Sequence, residues 1–142
     1  MKTFLLQIIT PDKTLFDGQA VQLTVRTTEG DVGILAGHTR YAAILKSGAL
    51  SIKLENGETR TAAVAGGAVK VSDEATTVIT TAAEWAEDID TEWAERSRQD
   101  ALAKMDAYKN EPDRHQRANL KLQRALNRLR VSGNDPKGLN QK

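Results

Sequence analysis

The sequence predicts a mainly β N-terminal domain, a sandwich or a barrel, followed by an antiparallel two-helix hairpin. Three observations carry this. Up to about residue 83, short runs rich in Val, Ile, Leu and Thr are separated by Gly, Pro, Asn or Asp at roughly 8- to 12-residue intervals, the rhythm of a closed or layered antiparallel sheet. Glycine is then absent from 68 to 132, and from Glu84 on Ala, Glu, Arg, Lys, Leu and Gln dominate. The charge also changes along the chain: residues 1–88 carry 8 basic and 11 acidic groups, residues 89–111 carry 4 and 6, and residues 112–142 carry 8 and 2. A nearly neutral chain, +1 overall, therefore ends in a strongly basic segment. The implied division is 1–86 for the β domain, 87–131 for the hairpin and 132–142 for a polar tail.

The first run, 3–10, is apolar and stops at Thr10-Pro11-Asp12, as a buried strand ended by a turn does. Leu15-Phe16-Asp17-Gly18 is a brief edge segment. Residues 19–28 alternate, with Val21, Leu23 and Val25 on one face and Gln22, Thr24 and Arg26 on the other, which describes a half-buried strand. The next stretch, Glu29-Gly30-Asp31-Val32-Gly33-Ile34-Leu35-Ala36-Gly37-His38, places a short apolar strand between two glycine turns. Runs at 41–45 and 50–54 flank Ser47-Gly48. Asn56-Gly57 signals a tight type I′ hairpin, whose central residues both need positive φ. The return run, 59–65, is broken at Gly66-Gly67, read as a bulge or a close strand crossing. It resumes at 68–72, and 76–83 is the last β-rich segment.

The helical region follows. Asp88 or Asp90 can cap the first helix, with Glu92 and Glu95 favourable in its early turns. Ile89, Trp93, Ala101, Met105 and Tyr108 mark its apolar stripe. Pro112 suits the start of a second helix, in which Ala118, Leu122, Ala125 and Leu129 recur at steps of three and four. A connection on the scale of eight residues predicts antiparallel packing. A second stripe on this helix is basic: Arg114, Arg117, Lys121, Arg124 and Arg128 lie about 100° round from the apolar one. Spacing alone leaves three uses open: a solvated face, a docking face for an acidic protein surface, or a phosphate-binding face.

Composition and motifs exclude several classes. There is no cysteine, hence no disulfide framework and no Cys-based zinc site. No apolar run approaches the ~18 residues of a membrane span, so any membrane connection is expected to run through a partner. No Gly-x-Ser-x-Gly, His-Glu-x-x-His or phosphate-binding Gly-rich loop is present. Glu29 and Asp31 could do acid–base work in a cleft, but no nucleophile or metal cluster accompanies them. The basic helix could serve a nucleic-acid-binding module, although it lacks the interleaved aromatics of single-strand binders.

Several motifs, in order and spacing, carry a resemblance that covers about residues 3–131. They are Ile9-Thr10-Pro11-Asp12, Leu15-Phe16-Asp17-Gly18, Thr28-Glu29-Gly30-Asp31-Val32-Gly33-Ile34-Leu35, Gly37-His38, Gly48-Ala49-Leu50, Ala65-Gly66-Gly67, Ile89-Asp90 and Arg124-Ala125-Leu126-Asn127-Arg128-Leu129-Arg130-Val131. The chain resembles the epsilon subunit of F-type ATP synthases. The resemblance implies a ten-stranded β-sandwich and a two-helix hairpin in a non-catalytic central-stalk subunit. Such a subunit couples c-ring rotation to the catalytic head of a proton-translocating synthase, and its extended hairpin restrains ATP hydrolysis. Implied partners are the gamma subunit, the c-ring and the alpha and beta subunits, with no nucleic acid. The implied location is peripheral, on the cytoplasmic face of a bacterial plasma membrane.

Residue by residue, the resemblance sets Glu29, Gly30 and Asp31 towards the c-ring and His38 towards gamma. Arg117, Lys121, Arg124 and Arg128 would meet the beta subunit. No metal or cofactor is expected. Some members bind ATP through an Ile/Leu-Asp-x-x-Arg-Ala motif and arginines of the second helix; here Asp90, Arg124 and Arg128 match. Trp93 stands where that motif has arginine, which removes a bidentate phosphate contact. ATP is therefore expected to be a weak regulatory ligand at most, with Trp93 packing the hairpin.

Overall fold

The computed structural model describes residues 2–133. The chain divides into two compact units, Met1–Trp85 and Ala86–Lys142. In the first, eight strands form one continuous hydrogen-bonded sheet: β1 (Phe4–Ile9), β2 (Thr14–Ala20), β3 (Gln22–Thr27), β4 (Gly30–Leu35), β5 (Tyr41–Lys53), β6 (Thr59–Val71), β7 (Thr76–Thr80) and β8 (Ala83–Trp85). Their order is β2-β1-β7-β6-β5-β3-β4, with β8 also paired to β6. Every pairing is antiparallel except β1 with β7.

Two long strands account for the difference between eight strands and ten. β5 and β6 are 13 residues each and pair along their whole length, from Tyr41 opposite Val71 to Lys53 opposite Thr59. Each takes up two of the runs read separately from the sequence. The distal half of β6 pairs with β7, and its proximal half pairs with β8. On the other flank, β3 pairs with the end of β5 at Ser51–Lys53 and then slips register towards Leu45. One continuous ribbon thus belongs to both layers of a sandwich, and its halves counted apart restore two layers of five.

The change of partner in β6 requires its glycines. Gly66 and Gly67 have φ of +94° and +135°. A Cβ at Gly67 would lie 2.0 Å from the Ile79 carbonyl oxygen and 2.8 Å from Thr80 Cα, so β6 approaches its paired neighbour β7 too closely there for any side chain. The close approach is between neighbouring strands of the sheet, not at a crossing of strands. Leu6, Ile8, Leu23, Val25, Ile34, Leu50, Ile52, Val69 and Val78, contributed by strands of both layers, are essentially sealed from solvent and form the core. Period-2 alternation produces it: in β3 Leu23, Val25 and Thr27 are buried while Arg26 between them is exposed.

The β5–β6 turn departs from the type I′ expectation. Within this turn Gly57 has positive φ, +90°, and Asn56 does not, since no non-glycine residue among those described has positive φ. Gly57 N donates to Leu54 O and Leu54 N to Glu58 O. The loop is therefore the longer hairpin form, a turn over Leu54–Gly57 closed by a left-handed glycine. Asn56 Oδ1 accepts from Glu58 N at 2.8 Å, so the asparagine stabilises the turn through its side chain rather than its backbone angle.

In the second unit, a single 3-10 turn (Ala86–Asp88) precedes α1 (Thr91–Ala107) and α2 (Pro112–Ser132). The connection is four residues, 108–111, shorter than the sequence suggests, because most of the polar segment before Arg117 is already helical. Asp90 caps α1, its carboxylate accepting from Trp93 N at 3.0 Å. Pro112 opens α2, and Gly133, at φ +86°, closes it. The buried residues of the two helices are small: Ala94, Ser97 and Ala101 in α1, and Ala118, Ala125 and Asn127 in α2, joined by Leu129 and Val131. The polar tail expected from residue 132 lies, beyond Gly133, outside the described residues.

Candidate functional site

Two surfaces hold the residues singled out by the sequence, one in each unit. In the sandwich, β3 and β4 form a hairpin whose turn is Thr28-Glu29, with Thr27 paired to Gly30. The buried Thr27 hydroxyl pins this turn: it donates to Gly30 O at 2.7 Å and accepts from Glu29 N at 3.1 Å. Gly30 has φ of +117° and nothing within 4 Å of where a Cβ would stand. Its constraint is conformational, and the space beside it is open to a partner.

Glu29 and Asp31 do not form the carboxylate pair the sequence suggests. Glu29 lies on the turn, whereas Asp31 lies inside β4, directly opposite Arg26. Arg26 Nε bonds Asp31 Oδ1 at 3.1 Å, with both side chains half-exposed. Gly48 supports this arrangement, since a Cβ there would come within 3.2 Å of the Arg26 side chain. Arg26 is the residue the sequence reading missed; its signal is present only once the β3–β4 register is known. Opposite-charge cross-strand pairs of this kind align strands and contribute little more than about 1 kcal/mol.

His38 lies at the other end of β4. Leu35 O accepts from His38 N at 3.1 Å, and Gly37 at φ +82° takes the position that demands positive φ in a type II turn. The imidazole Nδ1 is 2.8 Å from Thr39 O, and its ring meets Tyr41 edge-on with centroids 5.7 Å apart. Nearby, Arg40 and Asp73 form an exposed pair at 2.5 Å; this hydrogen bond holds the guanidinium above its ordinary range. Six residues of strand, about 20 Å at 3.3 Å per residue, separate the Gly30 end from the His38 end. The two ends can therefore face different partners.

The second surface is the basic stripe of α2, and it divides in two. Arg114, Lys121 and Arg128, spaced by seven residues, all turn towards α1 or its C-cap. Arg114 lies 3.6 Å from the Glu111 carboxylate and 5.2 Å from the Tyr108 ring centroid. Lys121 bonds Asp100 of α1. Arg128 sits over the ring of Trp93 at 4.9 Å. Arg117 and Arg124, also seven apart, are exposed and have no ion-pair or ring partner among the described residues.

Asp100 is the acceptor at the centre of this arrangement. It also takes Lys104, one turn along α1, at 3.1 Å. The hydrogen bonds from Lys121 and then Lys104 hold its carboxyl below the ordinary range. Glu95 is held low likewise, first by Gln99 and then by Arg98. The Asp100–Lys104 spacing of four was visible in the sequence; the bond to Lys121, across the hairpin, was not.

Trp93 packs the hairpin on one face only: the residue is 46% exposed, the Arg128 guanidinium of α2 lies over its ring, and the buried row of α1 is Ala94, Ser97 and Ala101. Of the three candidate nucleotide residues, Asp90 is engaged as the helix cap, Arg128 lies on Trp93, and Arg124 is exposed. No group of His, Asp and Glu side chains that could hold a metal ion occurs among the described residues.

A β-sandwich followed by a two-helix hairpin with one basic helix face, and two glycine turns at the ends of one edge strand, defines the structural class of the chain. Comparison with known proteins gives that class its family. Residues 3–86 match the model of the ATP synthase delta/epsilon chain β-sandwich domain, and residues 87–133 match that of the delta/epsilon long α-helix domain. The ATP synthase epsilon chain of Bacillus velezensis is 42% identical over 134 residues, spanning 94% of this chain and all of that one. The epsilon chain of Ruminococcus albus is 41% identical, over 93% of this chain and 98% of that one. Among solved structures, a chain of the Euglena gracilis mitochondrial ATP synthase superposes with a TM-score of 0.76 at 25% identity, covering 85% of this chain and 76% of that chain. The chain belongs to the delta/epsilon family of ATP synthase subunits, whose members are non-catalytic stalk components. No helix among the described residues is long and apolar enough to cross a membrane.

Proposed function

We propose that the chain acts as a central-stalk rotor subunit of a bacterial, proton-translocating ATP synthase, at the cytoplasmic face of the plasma membrane. It couples rotation of the c-ring to the catalytic head and restrains ATP hydrolysis through its helical hairpin. The observation that carries this reading is the pair of exposed guanidinium groups, Arg117 and Arg124, without an ion-pair or ring partner among the described residues, on a helix that buries mostly small side chains beside Leu129 and Val131. Such a helix can exchange one set of polar contacts for another on the beta subunit at little cost.

The sandwich supplies the fixed contacts. Glu29, Gly30 and Asp31 face the polar loops of the c-ring, where the open space beside Gly30 admits close backbone approach. His38, at the far end of β4, faces gamma. ATP is at most a weak ligand: Trp93 occupies the place of the motif arginine, and Arg128, which would meet phosphate, already covers its ring. The test is reconstitution with the gamma-containing catalytic head. Full-length chain should lower ATPase activity several-fold relative to a chain ending before residue 87, while both versions bind gamma. Equal ATPase activity with the two versions would remove the inhibitory half of this reading.

A further inference from the structure

The two carboxylates at the β3–β4 turn are not equivalent. β4 is the last strand on its side of the sheet, so the hairpin tip and one flank of β4 are open to a partner. Glu29 is exposed there, and its side chain has no hydrogen-bond or ion-pair partner among the described residues. Asp31, by contrast, is answered by Arg26 Nε at 3.1 Å. The stem of Arg26 lies over Gly48 of β5, where β3 and β5 slip register between Thr24 and Thr27; a Cβ at Gly48 would come within 3.2 Å of both Cβ and Cδ of Arg26. Arg26 is thus seated on one neighbouring strand while its guanidinium reaches the carboxylate directly opposite it on the other. With that pair neutralised, Glu29 is the one uncompensated charge among residues 26–31.

We infer that Arg26 is a positioning residue that sets the specificity of the contact at this turn: it cancels the charge of Asp31, so that a partner's cation is received at Glu29 alone, beside the bare backbone of Gly30. This rests on the c-ring reading of the turn and narrows it. The complementary group is a single lysine or arginine of a polar loop, set against Glu29. A second cation placed over β4 would meet the Arg26 guanidinium. Discrimination of this kind needs a repulsive element as well as an attractive one, and Arg26 supplies it. Charges at the rim of a contact fix register more than they add affinity. Without Arg26 the edge would carry two negative groups and accept a basic surface in more than one register.

The charge pattern is read first in the full chain without a partner, by NMR relaxation of backbone amides in the presence of a cationic or a neutral nitroxide co-solute. The cationic probe should be enriched over the neutral one at Glu29 but not at Asp31, and Arg26→Gln should enrich it at Asp31 about twofold, the scale of one charge several ångströms away in water. The full chain is then titrated into gamma bound to purified c-ring. Glu29→Gln should weaken binding about two- to fivefold, the scale of one exposed ion pair. Asp31→Asn should weaken it comparably, because Arg26 is left uncompensated beside the docking cation, and adding Arg26→Gln to Asp31→Asn should restore binding to within about twofold of the parent chain. A direct contact by Asp31 predicts instead a double variant as weak as Asp31→Asn, and a purely strand-aligning pair predicts binding that follows the urea midpoint of each variant. Either result overturns the inference, as does equal enrichment of the cationic probe at Glu29 and Asp31 in the parent chain. If the charge pattern holds but no variant alters c-ring binding, it is the c-ring reading of the turn that fails, and the inference falls with it.

Discussion

The sandwich and the hairpin are stabilised by different means. The sandwich seals branched aliphatics from every layer, Leu6, Ile8, Leu23, Ile34, Leu50 and Ile52 among them, and each such side chain contributes about 1.5–3 kcal/mol by leaving water. The hairpin buries more small side chains than large ones, Ala94, Ala101, Ala118 and Ala125 beside Ile89, Leu129 and Val131; the alanines have little apolar surface to lose, and exposed charge and ring contacts tie the helices. Alanine also lets helices pack without locking large rotamers. The difference teaches which part is a platform and which can rearrange: local opening draws on regions with few buried contacts and many solvent-exposed ones.

The largest expected effect lies at Gly67 of the platform, where the backbones of β6 and β7 approach closely. Gly67→Ala must fit a Cβ against the Ile79 carbonyl and hold a left-handed backbone angle, with backbone rather than a flexible side chain in the way. We expect a loss of about 4 kcal/mol or more in sandwich stability, read by urea unfolding. A loss below about 1 kcal/mol would mean that β6 can bend elsewhere. A smaller effect separates the two units directly. Leu50→Ala, at a sealed core position, should cost about 2–5 kcal/mol. Leu122→Ala, half-buried on α2, should cost about 1 kcal/mol because the side chain already keeps part of its surface in water. Equal costs at the two positions, measured by the same denaturant titration, would remove the contrast.

How far the sequence revealed each part follows the same division. The strands were legible because alternation is local: the burial of Leu23, Val25 and Thr27 follows from spacing alone. The continuity of β5 and β6 was not, because Ser47-Gly48 and Gly66-Gly67 carry turn residues. There the glycines let Arg26 lie across one strand and let β6 approach its neighbour β7 closely at the other. Asn56-Gly57 marked the hairpin correctly but not its turn type, which depends on loop length as well as on the dipeptide. On the helices, Asp90, Pro112 and Gly133 gave the ends by cap chemistry. Trp93 lies at the margin of the buried row rather than in it because it precedes Ala94 by one residue, and one residue turns a side chain about 100° round a helix. The candidate site was legible as a stripe of five cations, but its division was not. Asp100 and Lys121 are 21 residues apart, and only the fold sets one against the other.

The smallest expected effect concerns acid. Hydrogen bonds from Lys121 and Lys104 depress the folded-state pKa of Asp100. A depressed carboxyl contributes stability that is fully present above its unfolded value, about 3.9, and lost as pH falls through the lower folded value. Protonation of Asp100 removes the acceptor from both lysines at once. Spin labels on Gln99→Cys of α1 and Gln123→Cys of α2, both exposed positions in a sequence without cysteine, should therefore report a modest rise in interhelical distance on acidification, beginning below the ordinary carboxylate range, while Asp100→Asn should show the same rise at neutral pH and change less in acid. Glu95, also depressed, contacts only Gln99 and Arg98 of its own helix, so its protonation should fray α1 without separating the helices. The two carboxylates thus predict different signals over a similar pH window: helix content for Glu95, interhelical distance for Asp100. A distance change that persisted in full in Asp100→Asn would assign the opening to some other group and leave Asp100 as a surface contact only.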